Sequence, residues 1–135
     1  MSHFKYLKKK LFVENISIQN IVKKNKTPFY LYSEQQIKKN YLNFTQIFRN
    51  VKPLVCFAAK ANTNLKVMKI LSKLGSGADV VSAGELLKAL KAGIKPNKIV
   101  FSGVGKTEEE LELAIRKKVL LINVESESEA ILINR

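Results

Sequence analysis

Cysteine, histidine and tryptophan are nearly missing from this chain of 135 residues, which holds one Cys, one His and no Trp. The single cysteine, Cys56, excludes an internal disulfide and any cysteine-rich zinc site, and it fits a reducing compartment. It lies in an apolar run, where it reads either as a small buried hydrophobe or as a reactive thiol, and its neighbours favour the first. The lone histidine, His3, stands near the start, so there is no Ser-His-Asp triad and no histidine metal cluster. Acidic residues are scarce too: 11 Asp and Glu face 24 Lys and Arg, a formal charge of +13. The lysines come as scattered groups (Lys8, Lys9 and Lys10; Lys23 and Lys24; Lys38 and Lys39; Lys117 and Lys118) without interleaved aromatics, which describes a solvated face better than a nucleic-acid interface. Nothing approaches the roughly 18 to 20 apolar residues of a membrane span, and the opening MSHFKYLKKKLFVEN has no apolar signal core. A cytoplasmic protein with no membrane or nucleic-acid partner is expected.

What is present suits a globular domain, since 46% of the residues are hydrophobic. Residues 1–27 are mixed and read as an arm, with a short helix predicted over 17–24 from Ile18, Ile21 and Val22. A strand is predicted over 29–32 after Thr27-Pro28, followed by a helix that Ser33 and Gln36 would cap and that carries Ile37, Tyr41, Phe44 and Phe48 as an apolar stripe. From residue 54 one grammar repeats, strand then helix. Strands are predicted over 54–59, 78–81, 99–101 and 120–124, and helices near 65–74, after Ser82, after Thr107 and after Ser126. Gly75 and Gly93 are placed to end two of the helices. The alternation predicts βαβ units in a parallel sheet, and four such units are half of a (β/α)₈ barrel of roughly 250 residues. The fold class expected is therefore α/β, the N-terminal half of a TIM-type barrel, truncated.

The stretch LVCFAAKANTN, residues 54–64, is the one to explain, because an apolar run ends on a single cation, Lys60. The five residues 55–59 are all apolar, as in a strand buried on both faces, and Asn62 and Asn64 suit a loop and a helix start. Lys60 is thus expected at the carboxyl end of a strand, where α/β proteins place ligands. Three readings stay open: a buried ion pair, for example with Asp79; a point charge for a phosphate; or an amine of lowered pKa that forms a Schiff base. Asp79, a carboxylate in a short apolar strand, needs a partner. Glu85 reads either as a site acid or as the capping partner of Ser82. Lys60, the end of the next strand at Val81 and Ser82, and the loop from Ser102 to Gly105 all fall at one sheet edge. Ser102-Gly-Val-Gly-Lys106-Thr107 ends in GKT, yet Val100 stands where a phosphate loop needs its first glycine.

The motifs TPFYLYS (27–33), CFAAKANTN (56–64), GSGADVVSAGEL (75–86), KIVFSGVGKT (98–107) and INVESESE (122–129), in this order and spacing, closely resemble the N-terminal part of the diaminopimelate decarboxylase family. AKAN alone would suggest only the wider alanine-racemase-like group of pyridoxal-phosphate barrels. The resemblance implies that Lys60 is catalytic and holds pyridoxal 5′-phosphate covalently, and that Ala58, Asp79 and Glu85 lie at the cofactor. It implies release of carbon dioxide from meso-diaminopimelate to give L-lysine, a small-molecule amino-acid substrate, and a homodimeric parent enzyme. It also implies an arm at 1–27 and an incomplete barrel domain at 28–135, with a second, β-rich domain and several cofactor and substrate groups lying beyond residue 135, so that this chain is expected to be an inactive fragment. Lys26 departs from the family, which usually has glycine before this strand. Ornithine or arginine decarboxylases, amino-acid racemases and a non-catalytic pyridoxal-phosphate-binding protein are the alternatives.

Overall fold

A computed structural model describes residues 3–51 and 53–135, which divide into two compact units between Ile47 and Phe48. The first unit opens with three short antiparallel strands in the order β1 (Phe4–Leu7), β2 (Lys10–Val13) and β3 (Ile16–Ser17). Leu7 faces Lys10 across the β1–β2 turn, and both turn residues, Lys8 and Lys9, have positive φ, 47° and 62°. That is the mirror-image turn whose twist matches a tight hairpin. A short helix α1 (Ile18–Val22) follows within the stretch where one is predicted.

Residues 29–32 form no strand here, contrary to the sequence expectation. An isolated extended segment has no ladder to take up its backbone groups, and among the described residues no strand pairs with it; Tyr30 is 91% exposed. Helix α2 (Glu34–Ile47) then starts as predicted, with Ser33 Oγ accepting from Gln36 N at 3.0 Å. The Gln36 side chain does not close the box. Its Oε1 accepts from His3 N at 3.2 Å, and its amide nitrogen donates to Asn40 Oδ1 at 2.7 Å. Glu14 Oε1 accepts from Gln35 N and from the Ser33 hydroxyl, and these bonds hold the Glu14 carboxyl below its ordinary range.

The second unit is the predicted alternation of parallel strands and helices. Its strands are β4 (Cys56–Ala58), β5 (Gly77–Val80), β6 (Ile99–Phe101) and β7 (Leu121–Ile122), paired in that order. The helices after them are α3 (Leu65–Lys73), α4 (Ala83–Lys91), α5 (Glu108–Lys117) and α6 (Glu127–Asn134). This four-stranded parallel sheet with its following helices is the expected first half of a (β/α)₈ arrangement. Side chains alternate between the two faces of a strand. Ala78, Val80, Ile99 and Phe101, all fully buried, form one cluster with Met68, Leu86, Ala89 and Ala114 of the helices. The intervening residues Cys56, Ala58, Asp79, Val100 and Leu121 belong to the opposite face, which is only partly covered.

The first strand of this sheet is shorter than expected. It runs over Cys56–Ala58 only, Leu54 is exposed, and of the residues 55–59 only Ala59 is buried. Burial on both faces would require a covered second face, and among the described residues β4 has a strand on one side alone.

Helix ends follow one chemistry. After α3, Ser76 N donates to Leu71 O and Gly75 N to Ser72 O; after α4, Ile94 N donates to Ala89 O and Gly93 N to Leu90 O. Both are the reciprocal stop that a left-handed residue completes, and both glycines have φ near 90° (93° and 88°). After α5 the same bonds are made, with Val119 N on Ala114 O, but Lys118 holds the left-handed place at φ 56°. A side chain there is strained, so Lys118→Gly is expected to stabilise the chain by about 1 kcal/mol, read as a higher urea midpoint.

Candidate functional site

The register fixes what meets at the carboxyl end of the sheet. Ala58 pairs with Asp79, Asp79 with Val100 and Val100 with Leu121, so these four share one row on the face away from the helices. Two residues further along each chain stand Lys60, Val81, Ser102 and Asn123. Ser102 N donates to Val80 O at 2.8 Å and Asn123 N to Phe101 O at 2.9 Å, which carries the ladder up to that level.

Lys60 leaves β4 on a single 3₁₀ turn, Ala59–Ala61, closed by Asn62 N on Ala59 O. Asn62 Oδ1 accepts from Asn64 N, and Asn64 Oδ1 in turn caps α3 by accepting from Lys66 N, both at 2.9 Å. Two asparagines therefore hold the loop and present Lys60 to solvent. The buried-pair reading of Lys60 is overturned: the residue is exposed, and among the described residues no ion pair joins it to Asp79. The turn lifts the side chain off the strand end before burial can trap it.

Asp79 is half-buried, and its Oδ1 is shut away from solvent with no hydrogen-bond partner among the described residues. Its charge is felt nearby. Burial pushes the Cys56 thiol up, Asp79 pushes it further, and Lys98 opposes both. Cys56 is half-buried, not enclosed as the hydrophobe reading expects, and its Sγ lies 3.8 Å from Lys98 O. Glu85 is engaged: its Oε2 accepts from Val81 N at 2.9 Å while Ser82 Oγ accepts from Glu85 N at 3.2 Å. The carboxylate reaches one residue short of the cap itself, and it anchors the end of β5 to the start of α4.

The spacing of Thr107 and Glu110 marks a helix start in the sequence, but the reach of Glu110 to Ala83 and the whole role of Glu129 escaped the sequence reading. Glu110 closes a capping box with Thr107 and also accepts from Ala83 N at 2.8 Å, so one side chain holds the N-termini of α4 and α5. Glu129 accepts from Glu125 N at 2.9 Å and pairs with Lys106 at 2.6 Å, with side chains 9% and 1% exposed. The Lys106 ammonium also donates to Gly103 O at 2.6 Å. Every donor direction of the GKT lysine that these contacts use points back into the protein, which is why the motif is no phosphate loop. The repeated S/T-x-x-E spacing was the available signal for both acids; the partner lysine had none.

A half-buried carboxylate with an orphaned oxygen, a small residue beside it in register at Ala58, and an accessible amine one level above fit an aldehyde-bearing cofactor that needs both a nucleophile and an acidic neighbour. Among the described residues no group of three His, Cys, Asp or Glu could hold a metal ion, and no helix is long and apolar enough to cross a membrane.

Residues 34–135 match the family described as pyridoxal-dependent decarboxylase, pyridoxal binding domain. Diaminopimelate decarboxylase from Helicobacter pylori strain J99 is 56% identical over 101 residues, covering 75% of this chain and 25% of that protein. Its counterpart from Aquifex aeolicus is 42% identical over 132 residues, 98% of this chain and 31% of that one. Among solved structures, diaminopimelate decarboxylase from M. jannaschii in complex with L-lysine superposes with a TM-score of 0.93 at 39% identity, over 97% of this chain and 32% of that one. The chain spans between a quarter and a third of the length of these relatives.

Proposed function

This chain belongs to the pyridoxal-dependent decarboxylases through their pyridoxal-binding domain, and from that premise we propose that it carries the lysine-bearing part of a site that converts meso-diaminopimelate to L-lysine. The orphaned Asp79 oxygen below an accessible Lys60 is the observation that carries the reading. Pyridoxal phosphate, when bound, supplies an aldehyde for the amine and a ring that takes up the electrons left as carbon dioxide departs, a proton then taking the place of the carboxylate. Lys60, in its neutral form, is the nucleophile that holds the group. Ala58 leaves room beside Asp79, whose carboxylate supplies fixed negative charge on the face where the group would lie. Glu85 works at one remove, as a positioning residue that fixes the Val81 turn. Residues 28–135 are the barrel portion in this reading, and 1–27 precede it.

The test is chemical. The chain is incubated with pyridoxal phosphate, reduced with borohydride, digested and mapped by mass spectrometry. A pyridoxyl group concentrated on Lys60 is the expected result; label spread evenly over the surface lysines would sink the proposal.

A further inference from the structure

Resting on that reading of Lys60, one polar pair at the same sheet end remains without a role. Asn123 Nδ2 donates to Ser102 Oγ at 2.9 Å, joining the ends of β6 and β7. Neither is in the core: Ser102 is half-buried and Asn123 exposed. Because Ser102 Oγ accepts this bond, its own hydrogen is left to donate elsewhere, and the Asn123 carbonyl oxygen is left to accept. Among the described residues neither of these two groups has another partner. The pair thus offers one donor beside one acceptor, both uncharged, at the level of Lys60.

The surroundings narrow what it could take. A phosphate brings acceptors and negative charge only, so the Asn123 oxygen would oppose it. The helix that begins just after this loop carries Glu108, Glu109 and Glu110 in its first turn, which cancels the attraction a helix start would give an anion. The one cation of the loop, Lys106, is spent on Glu129 and Gly103. A neutral hydroxyl, which accepts and donates at once, is the complement. Ser102 lies two strands from Lys60, roughly 10 Å at ordinary strand spacing, a gap that a lysine side chain and one aromatic ring fill together. In a pyridoxal ring the phenolic oxygen is next to the aldehyde carbon.

We infer that Ser102 and Asn123 form a subsite for the phenolic edge of a pyridoxal ring held on Lys60, the hydroxyl donating to the ring oxygen and the amide oxygen accepting from it. Each partner orients the other, so loss of either side chain weakens the site.

The experiment measures the concentration of aldehyde that half-saturates reductive labelling of Lys60, for pyridoxal phosphate and for pyridoxal, in the wild-type chain and in Ser102→Ala, Asn123→Ala and Ser102→Thr. Urea midpoints check folding; Asn123 is exposed, so Asn123→Ala decides the matter if Ser102→Ala unfolds. Weakening of roughly fivefold to tenfold, the worth of one hydrogen bond, is expected for both aldehydes in both alanine variants, with Ser102→Thr close to wild type. Half-saturation unchanged in the alanine variants, while Lys60 is still labelled, overturns this subsite and leaves the reading of Lys60 intact. Weakening confined to pyridoxal phosphate overturns it also, since the pair would then serve the phosphate. A wild-type chain that takes no label at Lys60 overturns the reading beneath and this inference with it.

Discussion

Glu129→Ala is expected to lower the stability of the parallel-sheet unit by about 3 to 5 kcal/mol, the cost of leaving one member of a buried ion pair alone. The Lys106 side chain is 1% exposed with the carboxylate in place, so removing Glu129 leaves a largely enclosed ammonium without its counter-charge. Its remaining partner would be Gly103 O, which satisfies one hydrogen and none of the charge. Lys106→Met with Glu129→Leu together should recover most of the loss, because two apolar side chains of similar size need no solvation. The pair also sets an acid limb. The hydrogen bond from Lys106, and after it the Glu125 N–H, hold the Glu129 carboxyl below its ordinary range. The unfolded chain therefore binds a proton at Glu129 more readily than the folded one. The contribution is complete above the unfolded glutamate value, about 4.3, and is lost as the pH falls through the lower folded value. Urea midpoints measured down to pH 3 should fall steeply for wild type and more shallowly for Glu129→Gln, which has no proton to take up there. Parallel curves would mean the pair contributes nothing.

How far the sequence could be read depended on whether each cause was local. Helix starts are local: Ser33, Ser82, Thr107 and Ser126 all accept from the backbone three residues on, as their spacing to Gln36, Glu85, Glu110 and Glu129 indicates. Helix stops at Gly75 and Gly93 are local in the same way. Strand β6 falls on the predicted residues because it is central and its alternation is enforced by helices on one face. Strand ends and edges are different. Whether 54–59 or 29–32 forms a full strand depends on what lies beside it, and neither stretch carries that information within itself. The β1–β2 hairpin was missed because two lysines, and no Asn-Gly, occupy a turn with positive φ. Lys106 and Glu129 are 23 positions apart, beyond any periodicity. Lys60 was found from its abrupt place after an apolar run, but its exposure was not, because the turn that lifts it out depends on the hydrogen bonds of Asn62 and Asn64.

Lys60→Ala is expected to remove the dominant pyridoxyl product altogether, leaving only the scattered labelling of surface amines. The other lysines near the sheet ends cannot substitute. Lys106 is buried against Glu129, and Lys98 Nζ, at the opposite end of β6, donates to Gly75 O at 3.0 Å. Lys60→Arg should fail equally, since a guanidinium is never the neutral nucleophile required, although it keeps the charge and the length. That contrast separates covalent capture from simple attraction of an anion, which arginine would preserve. Asp79→Asn should leave the amine in place and weaken the labelling only in part, because among the described residues no ion pair joins Lys60 to that carboxylate. Turnover is a stricter demand than capture. A barrel site draws its groups from the ends of many strands around a closed ring, and the four strands here supply one arc of it, with water free to reach the open face. The 135 residues by themselves are therefore expected to take the label on Lys60 and to release no carbon dioxide from diaminopimelate, measured with carboxyl-labelled substrate; release at the rate of labelling would show that this arc is sufficient.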